Sequence, residues 1–161
     1  MKRIVLVRHA KSSWDYGVSD RERPLKPRGR QDAELVAKQF VGKSKVPDYI
    51  FSSPAKRAME TCKIFTSVLN YPFENINIEE KLYDFGGVGV IGFVKNLSNN
   101  VNEIMIFGHN AAFTNIVNDF GSTYIDNLPT SGLVEIEFDI QNWMELETGK
   151  TRQIIIPKEL R

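Results

Sequence analysis

The sequence predicts an α/β protein with three layers, in which a mostly parallel sheet lies between two layers of helices. Two observations favour this class. Short apolar runs that suit strands alternate with longer segments whose apolar residues recur at helical spacing, in the order βαβα(β)αβαββ. The first run, Ile4–Val7, is apolar on both faces, which is typical of a strand covered by helices on both sides. We expect residues 1–161 to form a single domain.

The N-terminal part of the chain contains a strand, a loop and a helix. Residues 1–7 form the strand, and the polar segment 11–26 forms a long loop of the kind that often carries function. Pro27 suits the first turn of a helix, because its missing N–H needs no partner there. Gly42 suits the end of that helix. The apolar residues at helical spacing between them are Ala33, Val36, Ala37, Phe40 and Val41.

The middle of the chain repeats this pattern. Residues 46–51 form a second strand candidate. Ser53 suits the N-cap of a second helix, and Pro54 suits its first position. One apolar face of that helix extends over residues 55–69. Residues 76–78 alternate between apolar and polar, which is typical of a short edge strand.

The C-terminal part begins with a third helix candidate at residues 88–97. Asn110 suits the N-cap of a fourth helix, whose apolar stripe extends over residues 113–120. The last strand can lie antiparallel to its neighbour. The expected strands here are residues 103–107, 133–138 and 152–156.

The bulk composition indicates a globular protein of a reducing compartment. Hydrophobic residues make up 42% and charged residues 25%, which is ordinary for such a protein. The single cysteine, Cys62, cannot form an internal disulfide. Neither a signal-peptide pattern nor an apolar stretch of membrane-spanning length is present. We therefore expect a cytoplasmic protein with no membrane partner.

The net charge of +1 is unevenly distributed along the chain. Residues 1–66 contain 15 Lys and Arg against 7 Asp and Glu, whereas residues 67–161 contain 6 against 13. A positive N-terminal half suits an anionic ligand, although solvated helix faces explain the same imbalance. No basic stripe with interleaved aromatic residues is present, so we expect no nucleic-acid partner.

The chain has only two histidines, and each directly follows a predicted strand. His9 follows Leu6-Val7-Arg8, and His109 follows Ile106-Phe107-Gly108. Open α/β sheets bind ligands outside the carboxyl ends of their strands, so we expect both imidazoles at one crevice. An imidazole can attack phosphorus to form a covalent phosphohistidine. Arg8, beside the first histidine, can bind two phosphoryl oxygens through parallel hydrogen bonds.

Arg57 supplies a further cation in the first turn of the second predicted helix. There its guanidinium joins free backbone N–H groups and the positive end of the helix dipole, which favours a bound anion. Taken alone, each of these residues fits a surface arginine or a structural histidine. Four such groups at three equivalent strand exits instead indicate a pocket for a phosphoryl group.

Two other kinds of site are disfavoured. A zinc site would need more ligands than two histidines and one cysteine provide, and no His-Glu-x-x-His spacing occurs. The segment 87–92 matches the Gly-x-Gly-x-x-Gly pattern of dinucleotide sites, but no strand directly precedes it and no acidic residue follows at residues 107–112. We expect these glycines to loosen a loop near the pocket mouth, and we expect no metal and no cofactor.

The candidate residues lie in motifs that resemble those of the histidine phosphatase superfamily, which has the phosphoglycerate-mutase-like fold. Arg8-His9-Ala10 is similar to the family's Arg-His-Gly, with alanine in place of glycine. The Ser-Ser-Pro-x-x-Arg-Ala-x-x-Thr pattern is intact over residues 52–61, and Gly-His-Asn is present over residues 108–110. The compact size and the segments 8–14 and 129–132 resemble the SixA-type phosphohistidine phosphatases in particular.

The resemblance implies a role for each of the four core residues. His9 is the nucleophile, while Arg8, Arg57 and His109 stabilise the phosphoryl group during its transfer. This agrees with the interpretation from the residues themselves, because phosphoryl transfer depends mostly on positioning and charge stabilisation. Residues 1–161 would then be one histidine phosphatase domain.

The resemblance also implies residues at the edge of the pocket. Ser12 and the backbone N–H of Asn110 are expected to add hydrogen-bond donors for the substrate. No general acid falls in a family pattern, and the candidates in the right region are Glu80 and Asp84.

The sequence therefore predicts a metal-independent phosphatase that acts through a covalent phosphohistidine. The favoured substrate is phosphohistidine in a signalling or phosphorelay protein, because an imidazole whose ring is protonated leaves as a neutral molecule and needs no dedicated acid. Two alternatives remain open. One is a small-molecule phosphomonoesterase that uses the same site, and the other is a non-catalytic module that binds phosphoproteins.

Overall fold

A computed structural model describes all residues, 1–161, and shows a six-stranded sheet between two layers of helices. The strands are β1 (Lys2–Arg8), β2 (Tyr49–Ser52), β3 (Asn77–Ile78), β4 (Glu103–Gly108), β5 (Leu133–Phe138) and β6 (Lys150–Ile155). The helices are α1 (Pro27–Lys43), α2 (Lys56–Leu69), α3 (Val88–Lys95) and α4 (Ala112–Phe120). This order confirms the predicted alternation. None of the helices combines the length and the apolar character that crossing a bilayer requires.

The sheet has the strand order β3-β2-β4-β1-β5-β6. The first four strands in that order are mutually parallel, and β5 is antiparallel to both of its neighbours. The prediction of a mostly parallel sheet with an antiparallel pairing near the C-terminus is confirmed. Because β1, β2 and β4 run in the same direction, their carboxyl ends meet at one edge of the sheet. In register, Arg8 lies opposite Gly108, and Ser52 lies opposite Phe107.

Strand β1 is apolar from Ile4 to Val7 because each of its faces is covered by a different pair of helices. Ile4 and Leu6 point into a core shared with α3 and α4. Val5 and Val7 point into a second core shared with α1 and α2. Full burial of such side chains contributes roughly 1.5–3 kcal/mol each. These two cores hold β1 rigidly at the centre of the fold, where its end positions the candidate site.

The structure corrects the predicted end of α1. Gly42 lies inside the helix, which continues to Lys43 and is followed by Ser44 in an extended conformation. Val41 is 41% exposed and is not a core residue. Its position falls at the edge of the apolar stripe formed by the residues before it, so helical spacing alone did not decide its burial.

The structure also corrects two boundaries beside the site. β2 begins at Tyr49 rather than at residue 46, after Pro47, which has no N–H to donate to a neighbouring strand. α2 begins at Lys56, and its N-cap residue is Ala55 rather than Ser53. The Ser53 hydroxyl accepts the Ala55 N–H at 3.2 Å and also contacts a histidine of the candidate site. Ser53 thus stands at a site position and not at a helix cap.

The starts of α4 and α3 confirm part of the prediction and correct part of it. Asn110 Oδ1 accepts the Thr114 N–H at 2.9 Å, as a capping side chain does, although α4 begins only at Ala112. The glycines of segment 87–92 do not form the loop that we expected, because α3 begins at Val88. Gly89 packs against the Lys81 carbonyl, where an added Cβ would lie at 2.7 Å, so this glycine permits a close approach.

Candidate active site

The two histidines lie side by side at the carboxyl edge of the sheet. His9 follows β1 and His109 follows β4, and these strands are hydrogen-bonded neighbours in parallel register. The His9 N–H donates to the Gly108 carbonyl at 3.0 Å, which aligns the two strand exits. The centres of the imidazole rings are 5.3 Å apart, and the ring planes are inclined at 55°. The structure therefore brings together two imidazoles that are distant in the sequence.

His9 presents an unprotonated ring nitrogen, Nε2, whose lone pair accepts a long hydrogen bond from Arg57. Its Nδ1 lies 2.8 Å from the Ala10 carbonyl oxygen, and because a carbonyl only accepts, Nδ1 carries the proton. Burial lowers the pKa of His9 to about 3 despite that hydrogen bond, and the charges of Arg57 and Arg8 act in the same direction as burial. The ring is therefore neutral near pH 7. Its Nε2 lies 3.3 Å from Nε of Arg57.

His109 is completely buried, and the Ser53 hydroxyl holds its ring at one nitrogen. Its Nε2 lies 2.8 Å from the Ser53 hydroxyl, and its Nδ1 lies 3.5 Å from a terminal nitrogen of Arg57. Burial, followed by the positive charge of Arg57, lowers the pKa of His109 to about 3. The Ser53 contact fixes the ring so that Nδ1 is turned towards Arg57, and this ring too is neutral near pH 7.

Arg57 connects the two imidazoles and is held at its far end by the loop that follows β1. Its Nε donates to His9, whereas Nη1 donates to the Asp20 carbonyl at 2.6 Å. Nη2 donates to the Asp20 carboxylate at 2.9 Å and also lies near His109. The side chain is 3% exposed. The Nε side of the guanidinium therefore faces the imidazoles, while the loop binds its terminal nitrogens.

Thr61, the last residue of the predicted Ser-Ser-Pro motif, links the segment that carries His9 to α2. Its hydroxyl donates to the Arg57 carbonyl at 2.7 Å and accepts the Ala10 N–H at 2.8 Å. Thr61 is completely buried. Through these two hydrogen bonds it sets the position of Arg57 relative to the chain that carries His9.

Arg8 extends the positive surface of the pocket. Its Nη1 donates to the Leu128 carbonyl at 2.8 Å, but its Nε is buried without a hydrogen-bond partner. Burial, and then the charge of Arg57, lower the pKa of Arg8. A partly buried guanidinium with no carboxylate partner is costly to the protein unless an anion binds to it.

Asp20 and Tyr83 are site residues that the sequence did not identify. The Asp20 carboxylate accepts hydrogen bonds from Arg57, Arg23 and the Tyr83 hydroxyl. Burial alone would raise the pKa of Asp20, but the hydrogen bonds from Tyr83 and Arg57 outweigh it and hold the pKa at about 2. The one signal that points to Asp20 is a charge argument. A cluster of cations needs a counter-charge, and the loop 11–26 holds three acidic residues that could supply it.

The predicted donors at the edge of the pocket have different environments. The Ser12 hydroxyl is buried and accepts a hydrogen bond from Arg23 at 2.6 Å, so it holds the loop in place. The Asn110 side chain is engaged with Thr114, Asn127 and Leu128. The backbone N–H of Asn110 donates to no carbonyl of the protein, which leaves it free for a ligand.

Neither candidate general acid is a free carboxyl group. Glu80 forms an ion pair with Arg21 at 2.8 Å, and its side chain is 70% exposed. Asp84 accepts the backbone N–H groups of Gly86, Gly87 and Val90 at the start of α3. Burial raises the pKa of Asp84, but these N–H groups outweigh it and lower the pKa overall. A carboxylate bound in this way holds the helix start and is poorly suited to donate a proton.

Two aromatic rings form a wall beside His109. The Tyr83 ring lies 5.3 Å from the His109 ring and the Phe85 ring lies 5.0 Å from it, centre to centre. Tyr83 and Phe85 are themselves 5.3 Å apart in an edge-to-face arrangement. Phe85 is 47% exposed, so the wall reaches the surface at the pocket mouth.

Taken together, these groups have the chemistry of an anion site. Two guanidinium groups, two neutral imidazoles and the free N–H of Asn110 converge at one sheet edge, and such donors suit the oxygens of a phosphoryl group. No group of three or more His, Cys, Asp or Glu side chains is arranged to hold a metal ion.

Comparisons with known proteins agree with this geometry. The family model of the histidine phosphatase superfamily (branch 1) matches residues 4–88. An uncharacterized protein of Mycobacterium tuberculosis is 26% identical over 153 residues, covering 89% of this chain and 93% of its own. The structure of the protein histidine phosphatase SixA complexed with tungstate has a TM-score of 0.84 at 22% identity and 99% coverage of both chains. A phosphoserine phosphatase of Entamoeba histolytica has a TM-score of 0.67 at 16% identity and covers both chains completely.

Proposed function

The chain belongs to the histidine phosphatase superfamily, and on that premise we propose that it is a metal-independent phosphatase whose nucleophile is Nε2 of His9. One observation carries this proposal. His9 is neutral, its proton is held on Nδ1 by Ala10, and its Nε2 lone pair lies among two arginines and a second imidazole. All six strands belong to one sheet, which supports treating residues 1–161 as one phosphatase domain.

In the first step, the lone pair of His9 Nε2 forms a bond to phosphorus while the bond from phosphorus to the leaving group breaks. The long contacts of Arg57 with the two imidazoles, 3.3 and 3.5 Å, are replaced by hydrogen bonds to phosphoryl oxygens. The guanidinium of Arg8, which has no carboxylate partner, donates to another oxygen. These fixed cations stabilise the charge that spreads over the oxygens in the transition state.

His109 contributes a neutral donor. If the Ser53 hydroxyl donates to Nε2 of His109, then Nδ1 carries the ring proton and faces the phosphoryl oxygens. In the second step, water attacks phosphorus, the P–N bond to His9 breaks, and its electron pair returns to Nε2. The proton of the water goes to the departing phosphate, and His9 is again neutral.

We further propose that the substrate is phosphohistidine in a signalling or phosphorelay protein. An alkoxide leaving group needs a proton donor, and the two candidates that the sequence suggests are an exposed ion pair at Glu80 and a helix-binding carboxylate at Asp84. A protonated phosphoimidazole leaves as neutral imidazole and needs no such donor. The SixA structure that this chain resembles in fold is that of a protein histidine phosphatase, which is consistent with this substrate class.

The test is a rapid-quench labelling experiment. The protein is mixed with a phosphohistidine protein that carries radiolabelled phosphate, quenched in alkali and digested, because phosphohistidine survives alkali. We expect label on the peptide that contains His9 in the wild type and none in His9→Ala. The same experiment with a small phosphomonoester separates the substrate classes by the rate of label formation. Binding of the phosphoprotein without any label on His9 would contradict the proposal and favour a non-catalytic module.

A further inference from the structure

The mouth of the pocket holds a carboxylate that the proposed mechanism does not use. Asp20 is fixed by three donors: Arg23 at 3.2 Å on one oxygen, and Arg57 at 2.9 Å together with the Tyr83 hydroxyl on the other. Its side chain nevertheless remains 42% exposed. A carboxylate has about four acceptor positions, so one remains for a ligand.

Asp20 lies at the end of the Arg57 side chain that is turned away from His9. His9 contacts Nε of Arg57, whereas Asp20 binds the terminal nitrogens of the same guanidinium. In-line displacement places the leaving group opposite the attacking nitrogen. A leaving group opposite His9 would then lie towards Asp20 and the aromatic wall of Tyr83 and Phe85.

This inference rests on the proposed function and concerns its substrate. We propose that Asp20, Tyr83 and Phe85 form a leaving-group subsite that selects a protonated imidazole over an alkoxide. The carboxylate attracts the N–H of an imidazolium, and the 47% exposed Phe85 ring stacks on its flat ring, whereas Arg21 already lies over the Tyr83 ring at 5.1 Å. The same carboxylate repels an alkoxide and any further anionic group on a sugar or nucleotide phosphate.

The proton balance of the reaction supports this selection. The substrate ring enters with a proton on the nitrogen that is not phosphorylated, and this N–H faces Asp20. When the P–N bond breaks, its electron pair stays on the leaving nitrogen and the ring departs neutral. His9 meanwhile becomes the phosphorylated, positively charged ring with its proton on Nδ1. The positive charge passes from one imidazole to the other without proton transfer, so the site needs an electrostatic partner and no general acid.

The state of Asp20 fits this role. Its pKa is held at about 2, so from pH 7 down to pH ~4 it stays a carboxylate, while a phosphohistidine ring becomes protonated as the pH falls through the range of an imidazole. A group with that pKa cannot donate a proton to an alkoxide near pH 7. Asp20 would therefore assist one class of leaving group and hinder the other.

The experiment compares two substrates in three proteins. The proteins are the wild type, Asp20→Asn, and Glu22→Gln as a matched control, because Glu22 is an exposed acid of the same short turn with no side-chain hydrogen bond to the site. The substrates are N-phosphohistidine and para-nitrophenyl phosphate, whose leaving group needs no proton. We expect Asp20→Asn to lower kcat/KM for N-phosphohistidine roughly tenfold more than for para-nitrophenyl phosphate, as loss of one charged hydrogen bond would. Glu22→Gln should leave the ratio unchanged.

A merely structural role for Asp20, as the group that holds Arg57, predicts equal losses on both substrates and would overturn the inference. Asp20→Ala provides the same readout if the asparagine variant does not fold, since only the ratio of the two rates is used. Failure of the underlying function gives a different result, namely no phosphorylated His9 with either substrate in the wild type.

Discussion

Strand β1 carries basic residues at both of its ends, and the partners of these residues differ between the two ends. At the amino end, Lys2 donates to three oxygens, and Arg3 forms ion pairs with Glu103 and Glu135 at 3.2 and 3.1 Å. At the carboxyl end, Arg8 has one carbonyl partner and an unpaired Nε, and His9 faces a guanidinium. The cations at the amino end are bound by oxygens of the protein, whereas Arg8 has no carboxylate partner and is left for a ligand. Arg57, the other guanidinium of the site, is paired with Asp20.

At the amino end of β1, a change of Arg3 has the largest expected effect on the free energy of unfolding. Replacing Arg3 with Met leaves the Glu135 carboxylate, 8% exposed, without its cation. We expect the free energy of unfolding to fall by about 3–5 kcal/mol, the usual result of removing one partner of a buried pair. Chemical denaturation measures it. The kcat of the folded fraction should stay at the wild-type value, and a loss of kcat comparable to that of a site variant would contradict the comparison.

The matched change at the carboxyl end is Arg8→Met. Here we expect kcat/KM to fall roughly 10²–10³-fold, because a fixed donor to the transferring phosphoryl group is lost. The free energy of unfolding should change by less than about 1 kcal/mol, since no carboxylate is left unpaired. Steady-state kinetics and denaturation on the same preparation test both halves. A variant that is strongly destabilised but catalytically intact would show that Arg8 is a structural residue.

The pH dependence of the unfolding free energy also distinguishes the two ends of β1, although the expected change is smaller. Folding lowers the pKa of His9 and of His109 to about 3 from an ordinary value of 6.5, mainly through burial. Below pH ~6.5 the unfolded chain therefore binds protons that the folded protein does not, so the free energy of unfolding falls as the pH decreases. Above that pH the two histidines contribute no slope.

The measurement is denaturation between pH 7 and pH ~5.5, where carboxylates are still largely ionised. We expect His9→Gln to reduce the slope of the unfolding free energy against pH by the contribution of one titrating group. Arg3→Met should keep the wild-type slope. An unchanged slope in His9→Gln would show that His9 titrates in the folded protein as it does in the unfolded chain, which contradicts the lowered pKa of the buried ring.

Much of the fold could be predicted because periodicity and burial agree in the central elements. Ile4–Val7 is apolar on both faces because β1 is covered by two helix layers. The errors fall where a side chain has a tertiary task that local rules do not include. Ser53 resembles a helix cap but contacts His109, and Gly42 resembles a helix end but lies within α1.

The residues of the site likewise fall into those that the sequence predicted and those that it did not. His9, Arg57 and His109 lie where strand exits and a helix start place them, so spacing along the chain was sufficient to bring them together. Asp20 and Tyr83 come from two separate irregular segments, whose path depends on contacts between them rather than on any repeating pattern. Glu80 and Asp84 had the right chemistry and region, but only the structure shows that each is already bound to another group.

The proposed function requires that Arg8, His9, Arg57 and His109 bind one tetrahedral phosphoryl group, with His9 in line for attack. The most direct measurement is a crystal structure of the protein with vanadate. We expect vanadium bonded to Nε2 of His9, with its equatorial oxygens within hydrogen-bond distance of Arg8, Arg57 and His109. Vanadate bound elsewhere, or bound in the pocket without a bond to His9, would contradict the claim.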